Sequence, residues 1–91
     1  MNKSELIKKL SEDSNISSED ATLIVKIFLD SIKNALIEGN RVEIRGFGSF
    51  KIKDYKGYSG RNPNTGAHVE VQPKRLPFFR AGNELRELVN Q

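Results

Sequence analysis

The chain has 91 residues, 36% apolar and 30% charged, which is the size and balance of one small globular domain (1–91) rather than of a disordered tail. It has no cysteine and a single histidine, His68, which excludes a disulfide scaffold, a zinc–thiolate site, a cysteine nucleophile and a histidine-rich metal centre. No apolar run approaches the ~20 residues of a membrane span and the start of the chain is polar, so the expected address is a reducing cytoplasm.

Asn2 and Glu5 have capping-box spacing, and Leu6, Ile7 and Leu10 follow on one helical face, which predicts a first helix over about 3–13. Asp13, Ser14 and Asn15 break it. Ser17 or Ser18 caps a second helix, with Glu19 and Asp20 in its first turn, where negative charge suits the helix dipole. It runs to about Glu38, stops at Gly39-Asn40, and spans about 30 Å. Its apolar residues, Phe28, Leu29, Ile32 and Leu36 among them, exceed one stripe and need covering on two sides. The first helix supplies one cover; the other must come from another element or a second copy of the chain.

After Asn40 the period changes to two. Val42 and Ile44 alternate with Arg41, Glu43 and Arg45, then Gly46-Phe47-Gly48 turns the chain. Ser49–Tyr55 alternates again, with Phe50 and Ile52 on one side and Lys51 and Lys53 on the other. Residues 57–66 are rich in turn formers, and Val69 and Val71 mark a return strand. Pro73 and Pro77 confine the next strand to an edge or a bulge. Phe78-Phe79 is expected to rejoin the core, and 83–91 forms a short helix carrying Leu85, Leu88 and Val89.

The net charge of +3 is unevenly spread. Residues 1–40 hold five basic against seven acidic side chains, while residues 41–91 hold ten against five. A basic second half points to a polyanion, nucleic acid before an anionic membrane. Residues 55–76 contain few large apolar side chains, so they read either as a disordered insertion or as a ribbon arm that lies in a nucleic-acid groove. Ten-residue strands in such an arm reach about 30 Å. Its tip, Arg61-Asn62-Pro63-Asn64-Thr65-Gly66, is explained as a turn alone, but a proline exposed on a basic ribbon is also a wedge able to unstack base pairs. Tyr55 and Tyr58 are expected to pack at the arm base, and His68 to be exposed.

The segments Ile44-Arg-Gly-Phe-Gly-Ser-Phe50, Gly60-Arg-Asn-Pro-Asn-Thr-Gly66, Pro77-Phe-Phe79 and Gly82-Asn-Glu-Leu-Arg86 resemble the bacterial HU and integration host factor (IHF) family, and the resemblance runs in order through the whole chain. Its members bend DNA from the minor groove. The resemblance implies an α+β fold and an obligate intertwined dimer. Two N-terminal helices (1–40) form its base, a three-stranded antiparallel sheet (41–54 and 76–82) its saddle, 55–75 a long β-ribbon arm, and 83–91 a short C-terminal helix. Pro63 matches the intercalating proline, with Arg61 and Asn62 as its minor-groove companions. Phe28, Leu29, Ile32, Leu36, Ile44, Phe47, Phe50 and Phe79 are the expected dimer core.

Glu43-Ile44-Arg45-Gly46 is more similar to an IHF beta-type subunit than to HU, which directs Arg45 to a groove with Glu43 orienting it. The alternative for Arg45 is a solvated strand residue or a phosphate contact. Candidate phosphate contacts are Lys3, Gly46, Gly48, Lys53, Lys56, Lys74, Arg75, Arg80 and Arg86. Asn83 and Ala81 depart from the family pattern, the latter leaving the last helix with a poorer cap. The expected partners are double-stranded DNA and a second subunit, the same chain or a related alpha type, in the bacterial nucleoid. No enzyme activity, cofactor, metal, membrane or small-molecule substrate is expected. An HU-type homodimer that compacts DNA and prefers distorted DNA is the alternative. A protein-interaction scaffold and an anionic-membrane binder are more remote, and the latter is disfavoured because the long helix carries only Lys26 and Lys33.

Overall fold

The computed structural model describes residues 1–91. In chain order they form α1 (Lys3–Ser14), α2 (Ser18–Ile37), β1 (Val42–Ile44), β2 (Gly48–Tyr55), β3 (Tyr58–Arg61), β4 (His68–Val71), β5 (Lys74–Ala81) and α3 (Asn83–Val89). The class is α+β, as the sequence suggests. The chain divides into two compact units, 1–35 and 36–91.

In the helical unit, the Glu5 amide donates to Asn2 Oδ1 at 2.8 Å, so the predicted cap is present. Asn15 ends α1 in the left-handed conformation, φ 51°, a geometry asparagine tolerates at a helix end. Ser17 is the cap of α2, its Oγ accepting from the Asp20 amide at 3.0 Å. Only Ala21 and Val25 of this unit are buried, while Leu23, Ile24, Ile27 and Phe28 are each about half exposed. On the polar side of α2, Lys26 Nζ donates to Asp30 Oδ2 at 2.7 Å. That hydrogen bond holds the Asp30 carboxyl below the usual carboxylate range and lifts the Lys26 ammonium above its own.

In the second unit, β1, β2 and β5 form an antiparallel sheet in the order β1-β2-β5, and β3 pairs with β4. Gly48 faces Ala81, Phe50 faces Phe79, Ile52 faces Pro77 and Tyr55 faces Lys74. Beyond a gap, Tyr58 faces Val71 and Arg61 faces His68. The residue count is even through the gap, so no bulge intervenes and one register runs from base to tip. Pro77 lies on the edge strand, where its missing N–H is tolerated. The gap falls where Gly57 meets Pro73. A methyl on Gly57 would lie 2.5 Å from the Val71 carbonyl oxygen and 2.8 Å from Pro73 Cδ, so only glycine lets the strands pass there.

Directly paired residues of an antiparallel ladder project to the same face. One face of the sheet therefore carries Phe50, Phe79, Ile52 and Pro77. The Phe79 ring sits 4.9 Å from Phe50 and 5.2 Å from Phe47. Gly48 is buried beneath it, with Phe79 Cζ 2.6 Å from where a methyl would stand. Phe78, expected to join this cluster, does not. Alternation sends it to the opposite face, because adjacent strand residues cannot share a side. Tyr55 and Tyr58 also differ from expectation, being 45% and 65% exposed; a ribbon of two strands offers no second layer for them to pack on. Gly82 caps α3 without a side-chain hydrogen bond, in keeping with the poorer start expected there.

Candidate nucleic-acid interface

The face opposite Phe50 and Phe79 is cationic. The pairs across it are Ser49–Arg80, Lys51–Phe78, Lys53–Leu76 and Tyr55–Lys74. Each pair holds one cation and one uncharged partner, so no two cations stand directly opposite and like-charge repulsion across the ladder is avoided. Lys53 Nζ lies 3.6 Å from the centroid of the Phe78 ring, a diagonal cation–π contact. Lys51, Lys74 and Arg80 are exposed.

The tip of the arm is held by Asn62. Its amide donates to the Ala67 carbonyl at 2.8 Å and its own carbonyl accepts from the Gly66 amide at 2.7 Å. Its side-chain Oδ1 accepts from the Asn64 and Thr65 amides at 2.8 and 3.3 Å. Four backbone or side-chain bonds from one residue close the turn around Pro63, which remains exposed. The side-chain oxygen of Asn62 is thereby spent on the turn, and its amide NH₂ is the group left to meet a ligand. Arg61 and His68 face each other just below the tip, and His68 Nε2 lies 3.6 Å from Glu70 Oε1.

A third basic feature is an open depression of about 310 Å³ at the other end of the sheet, which gathers Arg41, Arg45, Arg80 and Arg86. Gly46 and the buried Gly48 line it as well. Two details qualify the sequence reading here. The Glu43 carboxylate lies 3.8 Å from Arg41 Nη2, so its ion pair is with Arg41 rather than with Arg45. The Glu84 carboxylate stands 3.0 Å from the Cβ position of Gly46, placing negative charge beside a turn proposed to hold a phosphate. Arg86 donates to Asn83 Oδ1, which fixes its guanidinium at the rim.

A family comparison matches residues 1–90 to the bacterial DNA-binding proteins. This chain belongs to that family. Its HU/IHF-type members are histone-like architectural proteins rather than enzymes. Among solved structures, the chain is similar to HU from Anabaena in a cocrystal with DNA, at 36% identity over 98% of this chain and 97% of that one, with a TM-score of 0.85. It is similar to a point mutant of HU from Thermotoga maritima, at 29% identity over 98% and 99% of the two chains, TM-score 0.73. A mutant of transcription factor 1 in solution is 26% identical over 99% and 91%, TM-score 0.65.

Within this HU/IHF-type chain most of the expected contact residues fall into two groups that share Arg80. Lys53, Lys74 and Arg80 share the cationic face, and Arg45, Gly46, Gly48, Arg80 and Arg86 share the depression. Lys56 borders a recess at the ladder gap with Tyr55, Pro73 and Lys74. Arg75 is the exception. It pairs with Asp54 in the ladder, its Nε is 3.4 Å from that carboxylate, and both project from the phenylalanine face. Lys3 belongs to the helical unit, where its charge adds to the field that lowers Asp30. Lys51 and Arg41 stand outside the contact set expected from the sequence, and Phe78, expected in the core, lies instead on the cationic face. Period-two alternation with Lys53 was signal enough for Lys51; nothing local marks Arg41. No helix of the chain is long and apolar enough to cross a membrane.

Proposed function

We propose that this chain works as a dimer that binds duplex DNA through the minor groove and bends it. The observation that carries the reading is the arm tip: an exposed Pro63 on a turn closed by Asn62, at the end of a ribbon continuous in register with a cationic sheet. A rigid apolar ring in that position is a wedge. Pushed between base pairs from the minor groove, it unstacks one step at a cost of about a few kcal/mol, offset as the bent duplex meets more basic surface. Arg61 and the Asn62 amide NH₂ lie beside the wedge as groove contacts. Lys51, Lys53, Lys74 and Arg80 on the sheet, Lys56, Arg86 and the Gly46–Gly48 turn in the same unit, and Lys3 of the helical unit are the proposed phosphate contacts. The Anabaena HU–DNA cocrystal supports DNA as the ligand.

Dimerisation rests on the poverty of the single-chain core. Ala21 and Val25 are its only buried apolar residues, while Phe28, Phe47 and Phe79 remain 54%, 45% and 38% exposed. Leu29, Ile32, Leu36, Ile44 and Phe50 are half-buried. A second subunit that covers this set turns an inadequate core into a shared one. Two subunits bring two wedges, hence two kinks per site, and the assembly resides on the nucleoid. Arg45, exposed at the end of β1, supports a limited base preference of the IHF kind; the 36% identity to Anabaena HU supports the HU kind, a homodimer that favours distorted DNA. Binding of the purified chain alone separates them. Tight binding to random duplex means a self-sufficient homodimer; an unstable chain with weak binding means an alpha-type partner.

The test of the bending mechanism is Pro63→Ala. Dimerisation and most of the affinity should persist while the bend, read by energy transfer between the labelled ends of a duplex, decreases. An unchanged bend removes the wedge from the mechanism.

A further inference from the structure

We infer that Phe78 is a positioning residue for DNA contact, its ring holding the Lys53 ammonium on the cationic face before DNA arrives. This rests on the DNA-binding function proposed above. Phe78 has no part in the aromatic cluster, since alternation along β5 turns it away from Phe79, Phe50 and Phe47. It stands 37% exposed on the face that carries Lys51, Lys53, Lys74 and Arg80. A large apolar ring on a solvent face contributes little to a core, so its service lies in what it touches. It touches Lys53, whose Nζ lies 3.6 Å above the ring centroid. None of the chain's ion pairs involves Lys53, so the ring, not a carboxylate, fixes the ammonium.

This difference decides what the lysine can do next. A carboxylate partner competes with a phosphate for the same charge and must be displaced. An aromatic face leaves the ammonium charge uncompensated and its outward N–H groups free to meet a phosphate oxygen. It also restricts a long, rotamer-rich side chain in advance, so less freedom is lost when DNA binds. Arg75, held by Asp54 on the other face, shows the opposite arrangement within the same strand pair.

Two measurements test the role. In the free protein, ring-current shielding should move the Lys53 Hε resonances upfield, a shift kept in Phe78→Tyr and lost in Phe78→Leu. In DNA titrations, Phe78→Leu should weaken binding about two- to fivefold without changing the dependence of log K on log salt, because the charge is still there. Lys53→Gln should weaken binding and also reduce that slope by about 0.9. The double variant should bind no worse than Lys53→Gln alone, and Phe78→Tyr should bind as the natural chain does. Absence of the ring shift, or effects of Phe78→Leu and Lys53→Gln that multiply, overturns the positioning role while leaving DNA binding standing. A natural chain that binds no DNA at low salt overturns the functional reading itself, and this role with it.

Discussion

The base of the sheet and the arm share one register and differ in what lies beneath them. At the base, the Phe50–Phe79 pair packs against Phe47 and over the buried Gly48. In the arm, the corresponding ladder positions hold Gly60–Val69 and Tyr58–Val71, with no layer below. The base is fixed by side-chain packing, which the second subunit proposed above would complete. The arm is fixed by its hydrogen bonds and by the turn at its end. In the proposed mechanism affinity and shape are separate: the packed base presents charge at constant spacing, and the lightly supported arm follows a groove and brings Pro63 to the base pairs.

That contrast can be broken first at the base. Phe79→Ala removes the ring on which Phe47 and Phe50 converge, and should cost about 3–5 kcal/mol. The denaturation midpoint should fall sharply and sedimentation should show loss of the dimer. A dimer of natural stability would mean that the shared core does not depend on this cluster. At the arm the effect should be smaller and local. Asn62→Ala takes the acceptor from the Asn64 and Thr65 amides, worth about 1 kcal/mol of turn stability. Hydrogen exchange should then accelerate across residues 62–67 while protection at Phe50 and Phe79 stays unchanged; acceleration in both places would show that arm and base unfold as one. The smallest effect belongs to α2. Because the Asp30 carboxyl is held below its usual range, its pair with Lys26 contributes stability above the ordinary carboxylate range and loses it as the pH falls. Because Lys26 is raised, the same pair is lost again at strongly alkaline pH. Both groups are exposed, so Asp30→Asn should lower the neutral-pH melting temperature only slightly, and the gap from the natural chain should close on acidification.

Much of this architecture was legible in the sequence because its signals are local. Asn2, Ser17 and Gly39 announce helix ends by their own chemistry, and the change of period after Asn40 announces strands. The tip was legible as a turn for the same reason. What the chain order hid was the third dimension. Phe78-Phe79 reads as a pair returning to the core, yet a strand sends neighbours to opposite sides, and only the register against β2 tells which of the two goes in. Glu43 is two residues from both Arg41 and Arg45, and spacing alone does not choose between them. The role of Asn62 as the closure of the turn depends on where the backbone places four amides, which no spacing rule reports. Arg75 looks like its neighbour Lys74, but alternation along β5 puts it on the other face, where it meets Asp54.

The even count across the Gly57–Pro73 gap has an evolutionary consequence. Side chains alternate within each ladder and the two ladders share one register across the gap, so adding one residue to each strand of the arm would rotate Arg61 and the approach to Pro63 to the opposite side. Reach and orientation are therefore coupled. Arms of this design can lengthen or shorten while keeping their wedge aimed only by an even number of residues in each strand, so natural arm lengths should come in discrete sizes rather than in a continuous range.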